Sequence, residues 1–282
     1  MMSTASITHC LNCNTDLHGK IFCGNCGQRN VNRRLRWNNL IEDLNVHIFE
    51  WDLPWLKTIS DLTIRPGKVC SDYVEGRRIV YVHPIKYLFY ILAILVILTG
   101  FKPHDKFEIA ISFFSQLTFF YSKDFIELLP VSLQFILTNI PVYNLLMSPV
   151  AIILFRLLFW RSKRNWVEVS CFIFYMIAHC SLLITIVGFL EDLIDPVLNF
   201  FLPFGKSSGI ILMIFVVFYI PVYIAFASVK FFKSRLDWSF LGSFIGMFSY
   251  MISCFAIPGY LFGIYVPVMN TYINFEYTFS LL

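Results

Sequence analysis

The chain contains a series of long apolar segments that begins at Pro84 and continues, interrupted by charged joints, toward its last residues. A helix that crosses the hydrocarbon core of a bilayer needs about 20 mostly apolar residues. Segments that meet this requirement fall at 84–101, 139–160, 166–190, 209–229 and 238–266. The sequence therefore predicts an all-α polytopic membrane protein with about five transmembrane helices.

The composition excludes a soluble domain as the setting for these segments. Hydrophobic residues make up 57% of the 282 residues and charged residues 14%, whereas a soluble domain has roughly 45–50% apolar and about 25% charged residues. Folding removes only part of a soluble chain's surface from water, so it could not hide this apolar excess. Trp160, Trp166 and Trp238 lie at the ends of predicted crossings, where aromatic belts form.

The distribution of Lys and Arg predicts the orientation. With five crossings and a cytoplasmic N-terminus, 18 of the 22 Lys and Arg residues lie on the cytoplasmic side. The other four, Lys102, Lys106, Lys123 and Lys206, lie on the opposite side together with the acidic run at 191–195. Because positive charge accumulates in cytoplasmic loops, we expect the N-terminus in the cytoplasm and the C-terminus in the periplasm.

Residues 107–129 leave two interpretations open, a sixth crossing or a helix in the membrane interface. Polar residues weaken the first interpretation, and a sixth crossing would move the basic joint 161–164 to the side away from the cytoplasm. We therefore expect an interfacial helix at the periplasmic surface.

Four of the eight cysteines form two Cys-x2-Cys pairs. Cys10 and Cys13 are followed, after nine residues, by Cys23 and Cys26. Two such pairs complete the tetrahedral thiolate shell that suits Zn²⁺. Because thiolates would occupy all four positions, no site is open to water or substrate, and we expect a structural zinc ion. Iron in the same shell is the alternative that the residues leave open.

The residues around the two pairs favour a zinc ribbon at residues 1–30. Asn14 and Gly27 follow the pairs, and these residue types tolerate the left-handed backbone of a metal knuckle. His18-Gly19 is expected to turn a short hairpin, while His9 and His18 are surplus to the four thiolates. So small a module has almost no core, so metal ligation should hold it folded in a reducing compartment.

Residues 31–83 are predicted to form amphipathic cytoplasmic juxtamembrane helices. Apolar positions repeat every three to four residues through Trp51, Trp55, Ile59 and Leu62. The Pro66-Gly67 pair is expected to end that helix. A second short helix at about 68–75 would end at Gly76.

The basic residues of this juxtamembrane segment are expected to contact anionic lipid headgroups or a cytoplasmic protein. Nucleic acid, which they could contact through its phosphates, is the less favoured partner. These residues are Arg33, Arg34, Arg36, Arg77 and Arg78.

Short motifs follow one another in a distinctive order over residues 10–90. After the cysteine pairs come Cys26-Gly27-Gln28, Arg65-Pro66-Gly67, Asp72-Tyr73, Gly76-Arg77-Arg78 and Tyr81-x-x-Pro84. This order resembles a large group of bacterial multi-pass membrane proteins classed as a domain of unknown function. The chain departs from the group at Val169, which follows Glu168 where relatives often have Glu-His. The resemblance implies a bacterial inner membrane location, and it implies no activity or ligand.

Two ionisable residues in the third predicted crossing form a possible intramembrane polar site. Glu168 and His179 are eleven residues apart and therefore share one face of a helix, and ionisable residues inside a membrane are often functional. The more ordinary interpretations pair Glu168 with Arg161, Lys163 or Arg164, and give a neutral His179 a hydrogen bond to a neighbouring helix.

We expect a membrane-anchored zinc-ribbon scaffold that recruits a cytoplasmic partner. The predicted domains are the ribbon at 1–30, the juxtamembrane helices at 31–83 and the transmembrane domain at 84–282. An enzyme is not expected, because the sequence has no HExxH motif, P-loop or paired acidic motif. Transport of a small solute or ion through the helix bundle is the alternative, and the sequence does not indicate an oligomeric state.

Overall fold

A computed structural model of the chain describes residues 8–29, 35–46, 54–100, 140–201, 215–235 and 237–246. These residues form α1 (Trp37–Val46), α2 (Pro54–Ile64), α3 (Pro66–Val74), α4 (Pro84–Gly100), α5 (Ile140–Leu158), α6 (Trp166–Phe201) and α7 (Ile220–Phe232). A π-helical turn at Phe215–Tyr219 leads into α7, and residues 237–246 are helical. The described part has isolated β-bridges but no strand, which confirms the predicted all-α class.

The predicted crossings agree with the helices where both can be compared. Helices α4, α5 and the first part of α6 follow the predicted segments to within two residues at each shared boundary. Helix α6 continues to Phe201, past the acidic run at 191–195 that was expected in a loop. Residues 107–129, 209–214 and 247–266 lie outside the described residues.

One helix in the described part is long and apolar enough to cross a membrane. It is the 25-residue portion Trp166–Leu190 of α6, which at 1.5 Å per residue extends over about 38 Å. Shorter apolar portions of three other helices, Pro84–Leu95 in α4, Ser148–Leu158 in α5 and Ile220–Phe232 in α7, do not reach the roughly 17–25 residues of a typical crossing. The described residues therefore contain one candidate crossing, and the five-crossing arrangement stays a prediction.

Helix α6 forms the centre of the helical body. Nearly all side chains between 167 and 180 are buried, because α3, α4, α5 and α7 all contact this helix. Phe172 stacks on Phe231 with ring centroids 4.8 Å apart, and Phe159 stacks on Phe232 at 4.2 Å. The second half of α6 instead exposes large apolar side chains, among them Ile186, Leu190, Leu193 and Ile194.

The boundary between α2 and α3 differs from its prediction. Pro66 and Gly67 were expected to end the first helix, but Pro66 begins α3, at a first-turn position where its missing N–H has no intrahelical partner to lose. Gly67 allows α3 to approach α7 closely, since a Cβ at this position would lie 2.4 Å from the Ala227 carbonyl oxygen and 2.7 Å from Lys230 Cβ.

Tyrosine hydroxyls connect the juxtamembrane segment to the helical body. Tyr223 in α7 donates to the Leu62 carbonyl oxygen over 2.8 Å, and Tyr175 in α6 donates to the Val82 carbonyl oxygen. A segment predicted to lie along a membrane thus has an inner face that packs on α6 and α7, because its apolar positions find partners there.

His83 connects α1 to the start of α4. Its Nδ1 accepts a hydrogen bond from the Ile85 N–H, so the Nε2–H donates to the Leu40 carbonyl oxygen, 3.0 Å away. Burial lowers the pKa of His83 to about 4, and the ring is therefore neutral at pH 7.

Replacement of Gly67 by Ala is expected to destabilise the protein. The new methyl group would collide with the backbone of α7, and overpacking of this kind typically costs about 1–3 kcal/mol. Gly24→Ala is the matched control, because a Cβ there meets no atom within 4 Å. Denaturant unfolding in detergent measures both variants, and equal stability of the two would contradict the close approach.

Candidate metal centre

Two backbone knuckles of the same design present the four cysteines. The Asn14 and Gly27 N–H groups each donate over 2.9 Å to the carbonyl oxygen four residues earlier, in Cys10 and Cys23. The backbone is left-handed at both donors, with φ of 59° at Asn14 and 72° at Gly27. The predicted conformation is confirmed, and His18-Gly19 forms the expected turn, also with positive φ.

The four sulfur atoms converge on one point. All four lie within 4.8 Å of one another; the Cys10 and Cys26 sulfurs are 3.6 Å apart and the Cys13 and Cys23 sulfurs 3.5 Å apart. These distances are too long for a disulfide, whose S–S bond is about 2.0 Å. A tetrahedral zinc site with Zn–S bonds of about 2.3 Å places its sulfurs about 3.8 Å apart. The arrangement therefore fits a four-thiolate metal site.

The environments of the thiols differ within this cluster. A hydrogen bond from the Thr15 hydroxyl, 3.2 Å from the Cys13 sulfur, is the main cause that lowers the pKa of Cys13 to about 6. Burial raises the pKa of Cys26 to about 11. Binding of a cation favours the ionised form of a thiol. A bound metal ion would therefore hold Cys26 as a thiolate at neutral pH, together with the other three cysteines.

The two nearby histidines lie outside the sulfur cluster. His9 is exposed and contacts the Thr8 hydroxyl through Nδ1 at 2.9 Å, and His18 lies 3.8 Å from the Asp16 carboxylate on the surface. Neither belongs to the group of four ligand atoms that could hold one ion.

Gln28, two residues after the last cysteine, attaches the ribbon to the helical body. Its side chain is buried; Nε2 donates to the Gly76 carbonyl oxygen over 2.7 Å, and Oε1 accepts from the Arg78 N–H over 3.3 Å. Leu11 lies over the same turn, because a Cβ on Gly76 would be 2.5 Å from Leu11 Cδ1. Gly76 has a φ of 115°, which favours glycine.

This contact brings two of the sequence motifs together. Cys26-Gly27-Gln28 ends the ribbon and Gly76-Arg77-Arg78 follows α3, 48 residues later. Both motifs are visible in the sequence, but their positions in the chain do not indicate that they meet. The Gln28 side chain carries both a donor and an acceptor, which suits a backbone contact, but no spacing rule identifies its partner.

The predicted basic contact residues differ in exposure where the structure describes them. Arg33 and Arg34 lie outside the described residues, and Arg36 is exposed beside α1. Arg77 is exposed and lies 3.7 Å from the Asp72 carboxylate, whereas Arg78 is half-buried. Arg77 and the first knuckle line an open cleft of about 590 Å³.

Glu168 caps the start of α6. Its carboxylate accepts a hydrogen bond from the Asn165 N–H over 2.9 Å, and the Asn165 side chain accepts from the Glu168 N–H over 2.8 Å. This reciprocal pair is a capping box, which the Asn165-x-x-Glu168 spacing could have indicated. Asn165 also donates to the Leu35 carbonyl oxygen, so the cap joins α6 to the residues before α1.

His179 lies within a separate cluster of hydroxyl groups. Its Nε2 is 3.1 Å from the Thr63 hydroxyl and its Nδ1 is 2.8 Å from the Tyr87 hydroxyl. Thr63 donates its own proton to the Ile59 carbonyl oxygen, so the His179 Nε2–H must donate to Thr63, and Tyr87 donates to Nδ1. Glu168 and His179 thus make separate contacts, three helical turns apart.

Residues 55–96 match the family described as "Protein of unknown function (DUF3667)". The matched range contains all of α2 except Pro54, all of α3, the turn at Gly76 and most of α4. No curated protein and no solved structure matches the chain. The resemblance to a family of unknown function is confirmed for this range, and the ribbon at its N-terminal side lies beyond it.

Replacement of Cys23 by Ser is expected to abolish stoichiometric zinc binding, because a four-sulfur shell loses one ligand and the ribbon has almost no core to hold the other three. Cys180→Ser, which removes a buried thiol outside the cluster, is the control and should retain the metal. Elemental analysis of the purified protein measures both, and full zinc in Cys23→Ser would contradict the assignment.

Replacement of Gln28 by Ala is expected to release the ribbon from the turn while the metal stays bound. The Gly76 carbonyl and the Arg78 N–H would each lose one hydrogen bond and keep the 3.1 Å bond between them, and each lost bond contributes about 0.5–1.5 kcal/mol. Asn25→Ala removes an exposed amide that contacts the Thr15 hydroxyl within the ribbon, and it serves as the control. Amide hydrogen exchange at 76–78 should accelerate in Gln28→Ala alone; unchanged exchange would contradict the attachment.

Proposed function

We propose that this chain is a membrane-anchored zinc-ribbon interaction protein. The four thiolates hold a structural Zn²⁺, and the helical body crosses the bacterial inner membrane about five times. The ribbon faces the cytoplasm, where it recruits a protein partner to the inner leaflet.

Outward-facing apolar side chains support the membrane part of the proposal. Soluble monomers rarely expose large contiguous apolar patches, whereas a lipid-covered surface consists of them. Exposed large apolar residues occur on four helices of the body: Phe89, Ile94 and Ile97 on α4, Ile153 and Leu157 on α5, Leu190 and Leu193 on α6, and Phe226 on α7. The basic joints at 161–164 and 233–235 support a cytoplasmic orientation for the ends that they connect.

The attachment of the ribbon through Gln28 is the observation that carries the proposal. The buried amide holds the second knuckle on the turn 76–78, a few residues before α4 begins at Pro84. A ribbon held in this way has a defined orientation relative to the helices, and one of its sides stays available to a partner.

The available side has the composition of a protein-binding surface. Ile21 and Phe22, immediately before Cys23, are 67% and 56% exposed and are the most exposed large apolar side chains among the described residues of the ribbon. The ribbon also borders a separate cleft between the first knuckle and Arg77, which contains Asn12, Asn14 and a positive charge. Apolar anchors with a polar rim are typical of interfaces, and the charge favours an acidic segment of the partner.

The contacts of His179 do not favour transport as a second function. Both ring nitrogens are engaged by hydroxyl groups, and Glu168 is engaged in the cap of α6. Within the described residues, these two side chains therefore serve the packing of α6, and only the recruitment function is proposed.

A photo-crosslinking amino acid at Phe22 tests the recruitment function in intact cells. We expect a discrete protein adduct from this position, and we expect Cys23→Ser to abolish it because the ribbon unfolds. Leu157, an equally exposed apolar position on α5, is the matched control and should give no protein adduct.

Two outcomes would count against the recruitment function. One is the lack of any protein adduct at Phe22, and the other is an adduct that persists after loss of the metal. Protease added to intact spheroplasts tests the orientation separately, and removal of the ribbon by that protease would contradict a cytoplasmic N-terminus.

A further inference from the structure

Two basic loops that are distant in the sequence meet at one end of the helical body. The stacked rings of Phe159 and Phe232 are 4.2 Å apart and nearly parallel, and they join the end of α5 to the end of α7. The Trp238 indole N–H donates to the Leu158 carbonyl oxygen over 3.3 Å. The loop after α5 and the loop after α7 therefore share one rim.

These loops enclose a pocket of about 400 Å³ with an apolar floor and a cationic rim. Leu158, Phe159 and Phe232 form the floor, and the cations are Arg161, Lys233 and Arg235. Asp237 lies 3.1 Å from Arg235, but both side chains are largely exposed, and such surface pairs contribute little. The pocket therefore favours an anionic group.

Ser162 lies in the wall of this pocket, but its Oγ is shielded from solvent. The groups available to a ligand are therefore the cations. A phosphate group supplies acceptor oxygens for guanidinium and ammonium groups together.

Apolar side chains continue the surface beside the cations. Trp160 and Trp238 line the pocket, and with Leu157 and Leu241 in the adjoining helices they are each at least half exposed. Indole rings prefer the boundary between lipid and water. A ligand that combines a phosphate with acyl chains matches this surface better than a free ion does.

Arg164, in the same basic joint, has a different role. Its side chain is 13% exposed and lies 2.9 Å from the Glu75 carboxylate, and its Nε donates to the Phe231 carbonyl oxygen over 3.0 Å. It joins α3 to α7 inside the protein. The cations that face the pocket are thus distinct from the one that holds the helices together.

We propose that this pocket binds the phosphate of an anionic phospholipid of the inner leaflet, through Arg161, Lys233 and Arg235. The proposal rests on the membrane orientation given under the proposed function. Basic pockets at the cytoplasmic ends of transmembrane helices have the charge that such headgroups require.

Tryptophan quenching by brominated lipids tests the pocket in the full-length protein reconstituted into bilayers. Brominated phosphatidylglycerol is expected to quench at a lower mole fraction than brominated phosphatidylcholine. The variant Arg161→Gln/Lys233→Gln/Arg235→Gln should lose this preference, because each cation removed lowers the preference for phosphatidylglycerol about fivefold. In the variant Trp160→Phe/Trp238→Phe, the difference in quenching between the two lipids should disappear, because these two indole rings line the pocket.

Charge-matched controls separate the pocket from net charge. Lys20→Gln/Lys57→Gln/Lys68→Gln removes the same charge from exposed positions elsewhere and should keep the preference, as should the charge-conserving Arg161→Lys/Arg235→Lys. If the triple pocket variant does not fold, Arg161→Gln alone should lower the preference about fivefold.

Three results would overturn the proposal. They are equal quenching by the two lipids, an undiminished preference in the pocket variants, and displacement of phosphatidylglycerol by inorganic phosphate, which would indicate a site for a soluble anion. A protein that does not enter bilayers would contradict the proposed membrane function as well. A zinc-loaded, reconstituted protein without lipid preference would contradict the pocket alone.

Discussion

Burial of the first half of α6 is the constraint on which the rest of the described structure depends. Phe172 is covered by the rings of Phe231 and Phe232, and α3 reaches α7 beside it because Gly67 carries no side chain. Residues 54–83 therefore form a layer of the body and not a linker. Apolar burial contributes about 25 cal/mol per Å², and it keeps this layer in place while tyrosine hydroxyls satisfy its free carbonyl groups.

The ribbon depends on this layer in turn. Its own core consists of Leu17 and the cysteines, too little to fold without a metal, and Gln28 places its last knuckle on a turn that α3 and α4 hold from both sides. A metal ion held by the four thiolates would order the ribbon locally, and the buried Gln28 amide gives the ribbon one position. Either contribution alone would leave the Ile21-Phe22 surface without a defined orientation.

Burial also divides the basic residues into two groups. Arg164 is inside and has a carboxylate and a carbonyl oxygen as partners, as a buried charge requires. Arg161, Lys233 and Arg235 are at the rim of a pocket and face outward. In the sequence these four residues are equivalent positive charges. Packing gives Arg164 a structural role and leaves the other three available to a ligand.

The sequence by itself determined the features that arise from short stretches of chain. The all-α class, the start of α4 at Pro84, the four-sulfur cluster and the left-handed Asn14 and Gly27 follow from spacing and local backbone sterics. Only the tertiary structure decided that Gln28 meets Gly76, that Gly67 meets Ala227 and that two basic loops share one rim. The reason is physical: a backbone angle depends on its neighbours in the chain, whereas a contact across 48 residues or more depends on how whole helices pack.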